Sequence, residues 1–300
     1  EVMMKKYLCM TAFLSLICTT CLITSGCKEL TYLIKEEVVV GTTIRNDVYF
    51  VVEGDFTATK GSETFSGKVV DLSAFSLEET RVLEVRNGKI AKAEVKKLRD
   101  LYKQTFESAG AQEHNSERGI LNGVTFIAEK VEEGEWPFKK EKWSFGKKDK
   151  KLSKAQLKEL NGSWVPPDYG SDFFPDQAIP VGHVWFLSEE EVEYLFESAF
   201  DDVTGTGRLE LLRITEREGR QCAVIEESYD LRAKMVEEDL DLDMALTLSG
   251  ETFFDLVARH VVYSDHKGPV EIKGFVLDGG KKMHLTITGK GTLTVKSERR

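Results

Sequence analysis

The chain alternates apolar and polar residues over many short segments, which is typical of β-strands with one buried face. The clearest case is Asp239–Leu248, in which leucine or methionine occupies every second position. Asn87–Gly88 separates two more such segments, Arg81–Val85 and Ile90–Val95, and predicts a tight hairpin. Further strands are predicted at Val48–Thr59, Thr64–Leu72, Gly123–Val131, Arg208–Thr215, Gln221–Ser228, Thr252–Tyr263, Val270–Leu277 and Lys282–Val295.

Helical patterns are few, and each begins with a capping box. Ser153 and Gln156 predict a short helix that ends near Leu160, and Ser188 and Glu191 predict a second one. The second helix has an apolar stripe, so we expect it to pack on a sheet face, with a partner-binding role as the alternative. The stripe consists of Val192, Leu195, Phe196, Ala199 and Phe200.

These patterns predict a mainly β (β-rich α+β) fold, with antiparallel curved sheets or half-barrels in two halves and a few short helices. Residues 161–182 contain four of the six prolines and several aromatic residues, and predict an irregular connector. We therefore expect a β-rich N-terminal half at 27–160 and a β-rich C-terminal half at 183–300 that carries the amphipathic helix.

Composition and charge exclude two classes of protein. The 300 residues include 41 Lys+Arg and 51 Asp+Glu, and a net charge of −10 argues against a nucleic-acid partner. Only one long apolar run exists, so a multi-pass membrane protein is excluded. The basic segment 138–158 is an exception to the acidic balance, and we interpret it as a solvated surface, with an anionic-lipid or polyanion contact as the alternative.

The N-terminal residues have the pattern of a secretory signal peptide. Lys5 and Lys6 are followed by the uncharged, mostly apolar stretch Tyr7–Ile23 and by the small residues of 24–26. Ser-Gly followed by Cys27 resembles a bacterial lipobox, although Thr24 stands where that motif prefers leucine. The resemblance implies removal of residues 1–26 and acylation of Cys27, hence a lipid-anchored location at the periplasmic or outer-membrane face of a bacterial envelope. The alternatives are a plain secretory peptide and an uncleaved anchor.

Two stretches of the body are similar to uncharacterised β-rich bacterial lipoproteins. They are Pro175–Trp185, with its Val-Gly-His-Val-Trp end, and Gly205–Ile225, which reads as a hairpin. More loosely, a curved antiparallel sheet with a covering helix on an anchored lipoprotein is similar in architecture to the LolA/LolB carriers. That resemblance implies a half-barrel that holds acyl chains.

Candidate chemistry in the body is sparse. Asp239-x-Asp241-x-Asp243 begins like a calcium loop, but Met244 stands where the loop needs glycine, so strand alternation is the better interpretation. Cys222 lies on an apolar segment and is interpreted as an inert buried thiol.

One histidine cluster is conceivable. If Ser264–Gly268 is a turn, then His260, Asp265 and His266 could meet as an acid/base or metal site. Turn and surface histidines are commoner, so we predict no catalytic residue, metal ligand or cofactor.

The sequence therefore favours a non-enzymatic, envelope-anchored binding or carrier module for an apolar ligand, attached to the membrane through Cys27. A structural or assembly subunit with an envelope-protein partner is the alternative. An enzyme with a site assembled from distant residues is a further alternative, as is a surface-exposed decoy or adhesion protein.

Overall fold

A computed structural model describes residues 30–132, 142–146, 151–164, 166–167, 173–196, 201–237, 240–278 and 280–300. Contacts between residues divide the chain into two units, Glu1–Thr31 and Tyr32–Arg300.

Twelve strands form one antiparallel sheet in the order β7-β6-β4-β3-β2-β14-β13-β12-β11-β10-β9, with β5 paired to β4 beside β6. Along the described strands the sheet is open, with β7 and β9 at its two edges. The long strands are β2 (Thr43–Lys60), β3 (Glu63–Arg86), β4 (Lys89–Ser108), β10 (Asp201–Arg217), β11 (Arg220–Glu237), β12 (Leu240–Asp255), β13 (His260–Asp278) and β14 (Lys281–Arg299). The short strands of the sheet are β5 (Ala111–Arg118), β6 (Thr125–Glu132), β7 (Lys142–Gly146) and β9 (Val184–Leu187). Two-residue strands outside it are β1 (Thr31–Tyr32) and β8 (Ile179–Pro180).

The described residues contain two helices, α1 (Lys154–Ser163) and α2 (Glu189–Phe196). At α1 the Ser153 hydroxyl accepts from the Gln156 backbone, and the Gln156 side chain accepts from the Ser153 backbone. Ser188 and Glu191 make the same reciprocal pair at α2, at 3.2 and 2.7 Å. Helix α1 extends three residues beyond the predicted end.

One face of the sheet is apolar. In β12, Leu242, Met244, Leu246 and Leu248 are buried while Asp243 between them is exposed. The apolar face continues from strand to strand, because residues that lie directly opposite each other on neighbouring strands point to the same side of the sheet. One such row runs Gly205, Leu231, Leu246, Val270, Gly289, Gly54, Val69 and Phe106.

Buried apolar residues form two clusters on this face. Cluster 1 includes residues of β9–β14, β2, β3 and α2, and cluster 2 includes residues of β2, β3, β4, β6 and α1. Strand β2 belongs to both, with Val52 in cluster 1 and Ile44 in cluster 2. Val52 is eight positions after Ile44 along the strand, and an even step returns a side chain to the same face.

Glycines let neighbouring strands approach closely on the apolar face. A Cβ on Gly268 would lie 1.7 Å from the Thr247 carbonyl oxygen, and one on Gly250 would lie 1.8 Å from the Asp265 oxygen. The neighbouring backbone therefore rises toward the apolar face, and the sheet bends strongly at these positions. At Gly291, by contrast, the nearest atom would be 3.7 Å away, so a methyl group fits there.

The predicted fold class is confirmed: the chain is mainly β, with antiparallel pairing and two short helices among the described residues. The Asn87–Gly88 hairpin joins β3 and β4 as predicted. Strand β14 pairs with β2 from Met283–Lys60 to Arg299–Ile44, which connects the two predicted halves. The boundaries at 160 and 183 stay predictions.

The predictions were wrong at two places near the start of β13. Thr252–Tyr263 is not a single strand, because the chain turns at Leu256–Arg259 and Arg259 takes a φ of 53°. Ser264–Gly268 lies inside β13 rather than in a turn. A glycine is needed at position 268 because the β12 backbone comes too close to leave room for a Cβ, and no turn is involved.

Candidate ligand-binding face

The apolar face is incompletely buried along its middle strands. Several apolar side chains there pack against cluster 1 but remain only partly buried, although their neighbours Val52 and Ile287 are buried. On β10–β12 the partly buried apolar side chains of this face lie toward the strand ends, at Ile214, Met235 and Leu240. Register places the partly buried side chains of the middle strands on one face, because they oppose or flank Val52, Ala58 and Val69. We call this set the central strip; it consists of Phe50, Phe56, Leu72, Phe106 and Leu285.

Glycine shapes the central strip as well. The rings of Phe56 and Phe106 lie on either side of β3 and meet edge to face, 5.4 Å apart. Gly67 of β3 lies directly opposite Phe56, and a Cβ there would come within 2.8 Å of that ring. The glycine therefore makes room for the two aromatic rings to meet across an intervening strand.

The helices lie at the two sides of this strip. Helix α2 packs against β9 and β10, where Val192 is completely buried and the Phe196 ring lies 5.3 Å from Tyr229. Helix α1 lies beside β7 and contributes Leu160 to cluster 2. The second helix was expected to pack on a sheet face, and residues 189–196 do so. Ala199 and Phe200 of the predicted stripe lie outside the described residues.

A segment before β2, residues 33–42, crosses one end of the sheet, and we call it the strap. Ile34 is completely buried in cluster 1. Glu36 accepts from the Val261 backbone at 3.3 Å and lies 3.5 Å from the Arg299 guanidinium, with both side chains nearly buried. Gly41 donates to the Val82 carbonyl at 2.9 Å. The strap thus joins β13 to β3 at the end where β12 turns into β13.

Four polar side chains form a buried network on the apolar face. The Tyr229 hydroxyl donates to Glu227 Oε2 at 2.9 Å, and His266 Nε2 lies 3.0 Å from the same oxygen. Ser264 Oγ lies 3.0 Å from His266 Nδ1. With Glu227 ionised, Nε2 carries the proton and Nδ1 accepts from Ser264. Each of the four side chains exposes less than a tenth of its surface. We call this set the polar quartet; it consists of Glu227, Tyr229, Ser264 and His266.

The quartet superficially resembles a hydrolase triad, but its setting does not suit hydrolysis. Ser264 is nearly buried, and its strand is paired on both sides, with Thr252 of β12 and Val295 of β14. The backbone N–H groups around it are therefore used by the sheet and do not form an oxyanion hole. Burial, then Glu227, raises the pKa of Tyr229 well above its ordinary value, so the hydroxyl stays a neutral donor.

The histidine cluster considered from the sequence is not assembled. Asp265 binds Lys267 at 2.7 Å and Thr294 at 3.0 Å, on the face opposite His266. His260 is buried at the start of β13, and its Nδ1 is 3.4 Å from the Ala258 carbonyl oxygen. Burial, followed by the Arg299 charge, lowers the pKa of His260 to about 4, so the ring is neutral at pH 7.

Other candidate residues are distributed as follows. Cys222 is a buried free thiol whose pKa is raised chiefly by burial, in agreement with an inert role. The acids of the Asp239–Leu248 segment that are described, Asp241 and Asp243, alternate with buried residues as in a strand. Cys27 and most of the basic segment 138–158 lie outside the described residues.

A cavity of about 420 Å³ lies at the start of β10. Its lining is mixed in charge, and two of its ion pairs are Lys273–Glu271 at 2.7 Å and Lys234–Asp243 at 3.8 Å. Such a cavity suits neither an apolar ligand nor a simple anion. The charged and polar side chains are Asp202, Thr204, Arg232, Lys234, Asp243, Glu271 and Lys273.

Two further features are absent from the described residues. No group of three or more histidine, cysteine, aspartate or glutamate side chains there is arranged to hold a metal ion. Within the same ranges, no helix has the length and apolar character needed to cross a membrane.

No protein-family model matches this chain, and neither does any curated protein. Among solved structures, one that describes the lipid–protein interactions of lipovitellin matches 88% of the chain, at 10% identity and a TM-score of 0.41. The chain spans only 26% of that lipovitellin.

Two bacterial structures also match. An outer membrane channel from Pseudomonas putida covers 88% of the chain and 98% of its own length, at 10% identity and a TM-score of 0.23. A DUF1329 family protein from Desulfovibrio piger covers 85% of each chain, at 12% identity and a TM-score of 0.18. Similarities of this size assign no function.

Proposed function

We propose that this protein is an envelope-anchored, non-enzymatic carrier or binding module whose apolar ligand lies on the central strip. Acylation at Cys27 anchors it, because two or three acyl chains hold a protein stably on a bilayer. The ligand is a molecule with a long apolar portion, such as an acyl chain.

The observation that carries this proposal is the half-buried state of the central strip. Its five apolar residues lie side by side on β14, β2, β3 and β4, and three of them are phenylalanines. Each of the five side chains keeps part of its apolar surface accessible, and covering such surface favours binding, because each Å² covered contributes about 25 cal/mol. An acyl chain laid along the strip covers this surface without rearranging the sheet.

The first experiment is to purify the protein from its native envelope and identify bound small molecules by mass spectrometry. We expect a co-purifying lipid at close to one per chain. A fluorescent fatty acid then measures the affinity of the delipidated protein. An empty protein that takes up no fatty acid contradicts the proposal.

A matched pair of variants locates the ligand. Leu285→Lys places a charge on the central strip, and Thr286→Lys places one on the opposite face of the same strand. We expect Leu285→Lys to weaken fatty-acid binding at least tenfold, because the ligand would desolvate the ammonium group. Thr286→Lys should leave binding unchanged. Equal effects of the two variants place the ligand elsewhere, and circular dichroism verifies that both are folded.

One observation favours the assembly alternative. Phe186 lies on the edge strand β9 and is 71% exposed, and edge strands offer unpaired backbone groups to a partner. A photo-cross-linking residue at position 186 in living cells tests this function. A single specific adduct, together with a protein that is empty of lipid, favours the assembly role over the carrier.

A further inference from the structure

We propose that the protein docks on the bilayer with the end of the sheet where the strap crosses the β12–β13 turn. The contact is an apolar rim made of Leu33, Val39, Val40 and Val257. This inference deepens the proposed function and rests on it, because it takes the anchor at Cys27 as given.

The rim residues are aliphatic and strongly exposed. Val257 at the tip of the β12–β13 turn is 81% exposed, Val39 and Val40 are each 57% exposed, and Leu33 is 38% exposed. Ile34 and Val38 of the same strap are buried in clusters 1 and 2. The strap therefore fixes some apolar side chains in the core and leaves others facing outward at the end of the sheet.

Hydrogen bonds and ion pairs join the rim into one surface. The Glu37 backbone donates to the Arg259 carbonyl at 3.1 Å, and the Arg259 guanidinium binds the Glu37 carboxylate at 2.8 Å, so the strap is fastened to the turn that carries Val257. Gly41 is fastened to β3 through Val82. Between β12 and β3 the rim spans four strand spacings, or roughly 19 Å.

The chain length before the strap identifies a lipid surface as the occupant. Cys27 precedes Leu33 by six residues, so an extended chain places the acylated sulfur within about 21 Å of Leu33. Acyl chains on Cys27 therefore keep the rim close to the bilayer. At the opposite end of the sheet, the turns at Gly61–Ser62 and Ala109–Gly110 are exposed and contain no large apolar residue. The exposed apolar side chains near that end, Phe65 (47%) and Val236 (53%), lie on strands, on β3 and β11.

The test uses the full acylated chain in vesicles of phosphatidylethanolamine and phosphatidylglycerol. Val257→Cys and the control Ser62→Cys each receive an environment-sensitive dye, while buried Cys222 stays unlabelled. Lipids carrying a spin-label quencher near the headgroup report contact with the bilayer. We expect quenching at position 257 to exceed that at position 62 severalfold. Val40→Cys is a second rim position, in case the turn tolerates no label.

Flotation of the vesicles separates the possible failures. If the protein does not float with the vesicles, the anchor is absent and the proposed function falls together with this inference. If it floats but positions 257 and 40 are quenched no more than position 62, the rim does not face the bilayer, and the carrier function stands. If position 257 instead cross-links to an envelope protein and is not quenched, the rim is a protein interface and the inference is wrong.

Discussion

The central strip and the neighbouring flank of β10–β12 have the same alternation of apolar and polar residues, yet they differ in burial. In the flank, Leu211, Ile225 and Leu246 are almost completely buried, and α2 packs on this side of the sheet. In the strip, Phe50 and Leu285 are only half-buried. Alternation therefore specifies which face of a strand is apolar, while the cover over that face decides whether it is core or binding surface.

The largest effect is expected at the bend between the two regions, where Gly268 and Gly291 lie directly opposite each other. Gly268→Ala forces a Cβ into the Thr247 carbonyl and should lower the free energy of unfolding by about 3 kcal/mol or more. Gly291→Ala meets atoms only at 3.7 Å and should change it by less than about 1 kcal/mol. Urea denaturation measures both. Equal losses would show that the bend does not depend on close backbone approach.

Truncation compares the flank and the strip directly. Leu246→Ala creates a cavity in the flank and should destabilise the protein by about 3 kcal/mol, whereas Leu285→Ala in the half-buried strip should destabilise it by about 1 kcal/mol. If the proposed ligand packs on Leu285, saturating ligand should increase the loss for Leu285→Ala. Similar losses in the ligand-free protein would mean that the strip is ordinary core.

The pH dependence of stability tests the end of the sheet under the strap. The folded pKa of His260 is about 4, below its ordinary value of 6.5, so protonation favours the unfolded chain. Its contribution to stability is therefore present at pH 7 and is lost as the pH falls from about 6.5 toward 4. From pH 7 to pH 5 the loss is about 2 kcal/mol.

The control for this effect is a histidine at the surface. His260→Gln should flatten the pH profile, and replacement of exposed His284 should leave it unchanged. Nuclear magnetic resonance titration of the His260 ring checks the cause. A titration near pH 6.5 would refute the explanation.

The smallest effect concerns the polar quartet. Tyr229→Phe removes the hydroxyl that donates to Glu227 and should destabilise the protein by about 1 kcal/mol. Tyr263→Phe, on the opposite face and stacked against Arg217 at 4.3 Å, should change stability by less than about 0.5 kcal/mol. A larger loss of ligand affinity than of stability in Tyr229→Phe would mean that the quartet also contacts the ligand.

Local signals in the sequence predicted much of this fold. Asn87–Gly88 specified its hairpin because both residues take a positive φ, 52° and 78°. The capping boxes at Ser153 and Ser188 identified both described helices, because reciprocal hydrogen bonds need only four consecutive residues. Such signals are contained within a few positions and do not depend on distant partners.

The candidate site could not be predicted in the same way. The quartet joins Glu227 of β11 to His266 of β13, across the intervening Gly250 of β12, through a register that no local pattern encodes. The turn at Leu256–Arg259 lacked a glycine, and the glycine at 268 pointed to a turn that does not exist. Glycine has two uses, positive φ and close strand approach, and only the fold distinguishes them.

The pairing of β2 with β14 has a consequence for how the chain folds. Ile44 lies opposite Arg299, and Thr43 and Arg300 exchange two backbone hydrogen bonds of 2.9 Å. The β2–β14 pairing beneath the central strip therefore joins the first and last long strands. Ordering so long a loop is entropically unfavourable and makes this contact slow to form. During synthesis, one edge of β2 stays unpaired until β14 has been made, which exposes β2 to misassembly. The surface that we assign to the ligand is thus completed last, and chaperone protection matters most there.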